Sequence, residues 1–207
     1  GDKVLSNAFT LAPVPGAIAS VGAVPVFVGV TPDLTIDLDD LEAKLDQAKV
    51  LLLSHMRGHI CDMDALMAMC TAAGVTVIED CAHTMGAKWN GTWSGLHGAV
   101  GCYSTQTYKH VNSGEGGFLV SNDDALMARA VMLSGSYMLY ERHRAAPSKE
   151  AFAKVRLQTP NVSGRMDNII SSCPHRRPLA VSQNAQEPRE KQSERKWGMD
   201  NNIPSCP

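Results

Sequence analysis

The chain has 207 residues, a net charge of −2 and an apolar share of 44%. That share suits a folded globular protein with a sizeable core, and the weak charge excludes nucleic acid or an anionic membrane as the main partner. No apolar run approaches the length of a membrane span. The cysteines (Cys61, Cys70, Cys81, Cys102, Cys173 and Cys206) lack paired short spacing, which predicts reduced thiols in a cytoplasmic protein without disulfides or structural zinc.

Residues 3–6 read as a short strand. Pro13 and Pro15 then suit the first turn of a helix that runs through Ala17 and Ile18 towards Gly22. Residues 24–30 form a continuous apolar run, as in a strand buried on both faces of a parallel sheet. Asp37 can cap a helix over 38–48 with Leu38, Leu41 and Leu45 as its apolar stripe. Another buried strand at 50–53 leads into the polar run Ser54-His55-Met56-Arg57-Gly58-His59. Asp62 then caps a helix that ends at Gly74.

Residues 75–78 are a β-branched strand that ends in Glu79-Asp80. Strands follow at 86–89, 100–104 and 118–120, with a turn at Asn90-Gly91. A helix opened by Ser121 then closes near Gly135. Strand and helix alternate over short connections, so the predicted fold is α/β, a three-layer αβα arrangement with a mostly parallel sheet. Beyond about Ser171 the chain turns polar, charged and proline-broken. The expected organisation is therefore a partial domain over 1–170 and a disordered or non-native tail over 171–207.

In such sheets the residues just past the strand ends line the ligand crevice. Ser54-His55, Asp80 and Ser104 all fall there. A strand-end carboxylate, hydroxyls at Ser104 and Thr105, and Lys109 before a glycine-rich turn together suit pyridoxal phosphate. That cofactor needs an amine for its aldehyde, a carboxylate for its ring nitrogen and donors for its phosphate. Alternation along the strand sends Glu79 to the face opposite Asp80. His83, three residues past Asp80, can lie against the ring or bond its 3-oxygen. Singly each residue has a plainer role: a solvated loop lysine, a helix-capping carboxylate, exposed hydroxyls. A metal site from His55, His59, Cys61 and His83 is the rival constellation, but it lacks HExxH or CxxC geometry.

In sequence order, the segments VTVIEDCAHTMGAKWNG, GCYSTQTYKHVNSGEGGFLVSND and SGRMDNI, with GDKVLSNAFTLAPVPGAI before them, resemble the DegT/StrS family. These are fold type I, pyridoxal-phosphate-dependent aminotransferases acting on nucleotide-linked keto-sugars. The resemblance implies that Lys109 is the Schiff-base lysine and that Asp80 partners the pyridine nitrogen. His83 would stand near the cofactor ring and Ser104 would bind the phosphate.

It further implies amino transfer, from glutamate in most relatives, to a keto-sugar by a homodimer in its full-length form. Relatives that dehydrate the sugar carry histidine where this chain has Lys109. Leu11 stands where the family usually stacks an aromatic ring, and Ser163 where it has asparagine, two residues before the Arg165-Met166 pair. The family's N-terminal phosphate-binding turn and small C-terminal domain have no counterpart, so a fragment with weak or no turnover is expected. The alternatives are a non-catalytic or regulatory homologue that binds pyridoxal phosphate, or another fold type I reaction such as amino-acid transamination.

Overall fold

A computed structural model describes residues 1–135 and 146–164. The predicted 171–207 tail and the Arg165-Met166 pair lie outside these residues.

Six strands form one sheet in the order β2-β1-β3-β4-β7-β8. They are β1 (Lys3–Asn7), β2 (Val24–Val28), β3 (Val50–Ser54), β4 (Thr76–Asp80), β7 (Val100–Ser104) and β8 (Gly117–Val120). All neighbours pair parallel except β8, which runs antiparallel to β7 and closes one edge. The mostly parallel α/β expectation therefore holds. A two-residue pair, β5 (Lys88–Trp89) and β6 (Thr92–Trp93), makes a separate antiparallel hairpin across Asn90 and Gly91. The second arm of this hairpin was not anticipated, because two residues are too few to show a period.

The helices are α1 (Pro13–Ser20), α2 (Leu38–Glu42), α3 (Met63–Ala72), α4 (Asp124–Ser134) and α5 (Lys149–Val155). Asp37 and Asp62 cap α2 and α3 as predicted. The Asp37 carboxylate accepts from the Asp39 and Asp40 N–H groups, and that of Asp62 accepts from the Ala65 N–H. Two helical predictions need correction. The helix expected over 38–48 stops after Glu42 and resumes as a 3-10 turn, Leu45–Gln47. Lys44 donates at this break to the Phe27 carbonyl and to Asp40, whose carboxylate accepts from the Gly29 N–H, so anchoring to the β2 end replaces helical continuation. The cap of α4 is Asp123 rather than Ser121, whose hydroxyl instead donates to the Ala99 carbonyl. Helix α5, capped by Ser148, was not anticipated.

One face of the sheet carries the main core. Leu5, Leu51, Leu53 and Val77 project onto Leu41, Met63, Leu66 and Cys70 from α2 and α3, all essentially without solvent contact. Each such burial stabilises by roughly 1.5–3 kcal/mol, enough to fix the sheet register and with it the strand ends. A smaller cluster, Ala128, Phe152 and Val155, packs α4 against α5. Among the described residues no helix is long and apolar enough to cross a membrane.

Candidate active site at the strand ends

Strands β3, β4 and β7 end at Ser54, Asp80 and Ser104 on the same edge of the sheet, as the sequence predicted. Register places Ser54 beside Asp80. The Ser54 hydroxyl donates to Asp80 Oδ2 at 2.8 Å, and the Ala82 N–H donates to Oδ1 at 3.1 Å. Ser54 is itself fixed by Asn7, buried at the end of β1. Asn7 Oδ1 accepts from the Ser54 N–H and its amide donates to the Ser54 carbonyl, at 2.8 and 3.0 Å. Asp80 remains partly exposed, its carboxylate aimed by two donors and still accessible.

Glu79 takes the other face, as alternation requires. It is fully buried and accepts from the N–H groups of Gly95, His97 and Gly98 at 2.7–2.9 Å, with His55 Nε2 3.0 Å away. Burial opposes its ionisation, but the bonds from His55, Gly98 and Gly95 outweigh that and hold its pKa below the usual value. The loop so gripped passes close beneath β7. A Cβ on Gly101 would lie 2.4 Å from the Gly95 Cα, so this crossing requires glycine.

Lys109 sits in the loop between β7 and β8, which is drawn tight by cross-bonds. The Thr105 N–H donates to the Gly116 carbonyl and the Ser113 N–H to the Thr105 carbonyl, at 2.9 and 2.8 Å. The Ser113 hydroxyl bonds Thr105 Oγ1 at 2.7 Å, so the Thr105 hydroxyl braces the loop instead of standing free beside Ser104. Ser104 Oγ accepts from the Gln106 N–H, which leaves its own proton available to donate.

Lys109 Nζ lies 2.9 Å from His83 Nε2, a contact across 26 residues that brings together two predicted site residues. Burial first, then Lys109, Arg57 and His110, lowers the His83 pKa against the raising effect of Asp80. The ring is therefore neutral at neutral pH. Leu11 is half exposed, without an aromatic ring to stack.

The rival set of His55, His59, Cys61 and His83 is not brought together as one group among the described residues. Instead His55, Glu79 and Cys81 place ligand-type atoms within 4.8 Å of one another, all buried. Both Glu79 oxygens already accept protein donors, and burial pushes the Cys81 thiol up to about 12, so this group is a hydrogen-bonded cage. A hollow of about 710 Å³ lies at the opposite edge of the sheet, lined by Lys3, Gly22, Gln47 and Lys49, and brings together none of the predicted site residues.

The donor set fits pyridoxal phosphate. An accessible, oriented carboxylate, a hydroxyl and an amine share one edge. Thr10 Oγ1, past the end of β1, is buried and without a partner among the described residues. Sequence reasoning missed Asn7 and the Arg57 main chain, whose contributions cross 47 and 26 residues.

Residues 1–194 match the DegT/DnrJ/EryC1/StrS aminotransferase family. The chain is 37% identical over 148 residues to a pleiotropic regulatory protein of Geobacillus stearothermophilus, covering 69% of this chain and 40% of that one. It is 31% identical over 144 residues to a GDP-perosamine synthase of Escherichia coli O157:H7, with 69% and 40% covered. Among solved structures, an aminotransferase from Psychrobacter cryohalolentis matches at 28% identity with a TM-score of 0.69, over 84% of this chain and 45% of that one. The chain thus spans less than half the length of the relatives it matches. With the family model matching most of its length, the chain belongs to the DegT/DnrJ/EryC1/StrS aminotransferase family.

Proposed function

We propose that this chain carries the cofactor-holding part of a pyridoxal-phosphate-dependent aminotransferase that acts on a nucleotide-linked keto-sugar, a reading supported by the family and by the GDP-perosamine synthase relative. The observation that carries the reading is the 2.9 Å approach of Lys109 Nζ to His83 at the edge where Asp80 stands. Bound there, pyridoxal phosphate would supply a ring that takes up the electrons released when a Cα–H bond breaks.

The protein's share is to bind, orient and move protons. Asp80, aimed by Ser54 and Ala82, would pair with the ring nitrogen and favour its protonated form. The Ser104 hydroxyl, with its own proton free to donate, would hold the phosphate. Lys109 would offer the amine that holds the cofactor and the group that takes and returns the substrate proton. Glutamate as amino donor, assembly as a homodimer and a cytoplasmic setting complete the proposal. Four buried or half-buried free thiols suit a reducing compartment, with pKa values raised by burial to about 11 or 12.

The test is to add pyridoxal phosphate to the chain, reduce with borohydride and locate the pyridoxyl group by peptide mass spectrometry. The expected result is modification concentrated on Lys109 and lost in Lys109→Ala. Modification spread over surface lysines and unchanged by that substitution would overturn the assignment. The regulatory relative favours a second reading, a protein that binds the cofactor without turnover. Amine transfer from glutamate to a nucleotide-linked keto-sugar by the full-length protein separates the two.

A further inference from the structure

The sheet opens between two strands on the edge that carries Asp80. The pairing of β1 with β3 covers only Leu5–Leu51 and Ser6–Leu52, whereas β1 stays paired with β2 through Asn7–Val28 and β3 with β4 through Ser54–Asp80. The chain leaves β1 outwards to β2 and then crosses to β3 on the other side of β1, the reversal at which strand ends part to form a crevice. On the β4 side the His55 N–H donates to the Asp80 carbonyl at 3.1 Å. Main-chain groups alternate along a strand, so the N–H and C=O of Ser54 turn towards the opening, where the β1 main chain no longer meets them.

Asn7 fills that gap. Its side-chain amide offers what a strand's main chain would, an acceptor oxygen and N–H donors in one plane. Oδ1 accepts from the Ser54 N–H at 2.8 Å, while Nδ2 donates to the Ser54 carbonyl at 3.0 Å and to the Phe9 carbonyl at 3.1 Å. Turning the amide over would set like groups against each other at all three contacts. Asn7 and Ser54 are 1% and 5% exposed, so water scarcely competes, and without the amide two buried main-chain groups would stand unpaired. Ser54 is thereby gripped by Asn7 on one side and by β4 on the other. From that position its hydroxyl donates to Asp80 Oδ2 at 2.8 Å.

We propose that Asn7 is a positioning residue for Asp80: its amide replaces the strand pairing missing between β1 and β3, fixes Ser54, and through the Ser54 hydroxyl aims the Asp80 carboxylate. The crevice can then open for a ligand while the carboxylate beside it keeps its direction. That Asp80 meets a pyridine nitrogen rests on the pyridoxal phosphate reading; the clamp does not.

NMR of the cofactor-free chain reads the clamp. In the natural chain the coupling carried across a hydrogen bond should link the Ser54 amide nitrogen to the Asn7 side-chain carbonyl carbon. Its absence beside clear couplings in the neighbouring strand pairs would overturn the proposal. The Asp80 carboxyl carbon resonance, identified in aspartate-labelled protein by its loss in Asp80→Asn, should move in Ser54→Ala and likewise in Asn7→Ala. Ser54→Ala leaves the clamp in place, so the amide at position 54 should stay protected from hydrogen exchange. In Asn7→Ala it should exchange about tenfold faster, the scale of one lost hydrogen bond. An Asp80 resonance unmoved in either variant would refute the idea, and if Asn7→Ala does not fold, the coupling and Ser54→Ala still decide.

Retention of pyridoxal phosphate separates positioning from general support. Asn7→Ala and Asp80→Asn should each weaken it, Asn7→Ala by about threefold to tenfold. The double variant should lose little more than Asp80→Asn alone, because Asn7 acts through that carboxylate. A double loss equal to the product of the single ones would make Asn7 a support of the fold at large and overturn the proposal. If the coupling and the resonances are as expected but the natural chain retains no pyridoxal phosphate, the cofactor reading fails and the clamp stands.

Discussion

Glu79 and Asp80 are neighbours on one strand, yet the sheet treats their carboxylates as opposites. Glu79 points into a closed cage of three peptide N–H groups and an imidazole, with no solvent contact. Asp80 points to the rim, held by one hydroxyl and one peptide N–H, and stays within reach of a ligand. Identical chemistry one residue apart thus serves architecture on one face and binding on the other. What decides is the number of donors the fold has already committed to each carboxylate.

The contrast breaks most sharply in Glu79→Ala. Three buried N–H groups and His55 would lose their acceptor, and denaturant unfolding should show a loss of about 3–5 kcal/mol. Glu79→Gln keeps one oxygen for His97 and Gly98 but turns a donor towards the Gly95 N–H. The expected loss is smaller, about 1–3 kcal/mol.

Acid adds a second view of the same group. The folded pKa of Glu79 lies below its ordinary value of 4.5, so its contribution is complete above 4.5 and is lost as pH falls through the folded value. Acid unfolding followed by circular dichroism should therefore lose part of its pH dependence below 4.5 in Glu79→Gln. Asp123→Ala, which removes the cap of α4 from the Ala125 and Leu126 N–H groups, should cost about 1 kcal/mol by denaturant unfolding. Asp80→Asn should change stability least, within about 0.5 kcal/mol, because it lies at the rim and an amide can still bond Ser54 and Ala82. Its signature would be weak retention of pyridoxal phosphate on dialysis. A large fall in stability there would erase the distinction between the two carboxylates.

Much of this was legible wherever the signal is local. Asp37 and Asp62 before apolar runs marked true helix starts, and short strand-like runs ending in polar residues located Ser54, Asp80 and Ser104. Alternation alone put Glu79 and Asp80 on opposite faces. What stayed hidden depends on partners distant in sequence. The donors to Glu79 come from a loop 16 to 19 residues away, and the Lys109–His83 pair spans 26. The break after α2 arises from Lys44 finding the β2 carbonyl at Phe27, which no helical period records. Ser121 and Asp123 both qualify as caps by residue type. The bond from Ser121 to Ala99, on the approach to β7, separates them.

The cross-bonded loop that carries Lys109 also affects when order is acquired. Its ends are strapped to adjacent strands, and its middle is closed by Thr105, Ser113 and the Asn112–Thr107 bond. The conformational entropy of those backbone residues is therefore surrendered during folding, before any ligand arrives. An arriving aldehyde has only the lysine side chain left to order. Affinity at this edge is then governed by the torsions of one flexible side chain, and loosening the loop far from the amine, as in Ser113→Gly, would weaken capture without removing a single contact to the ligand.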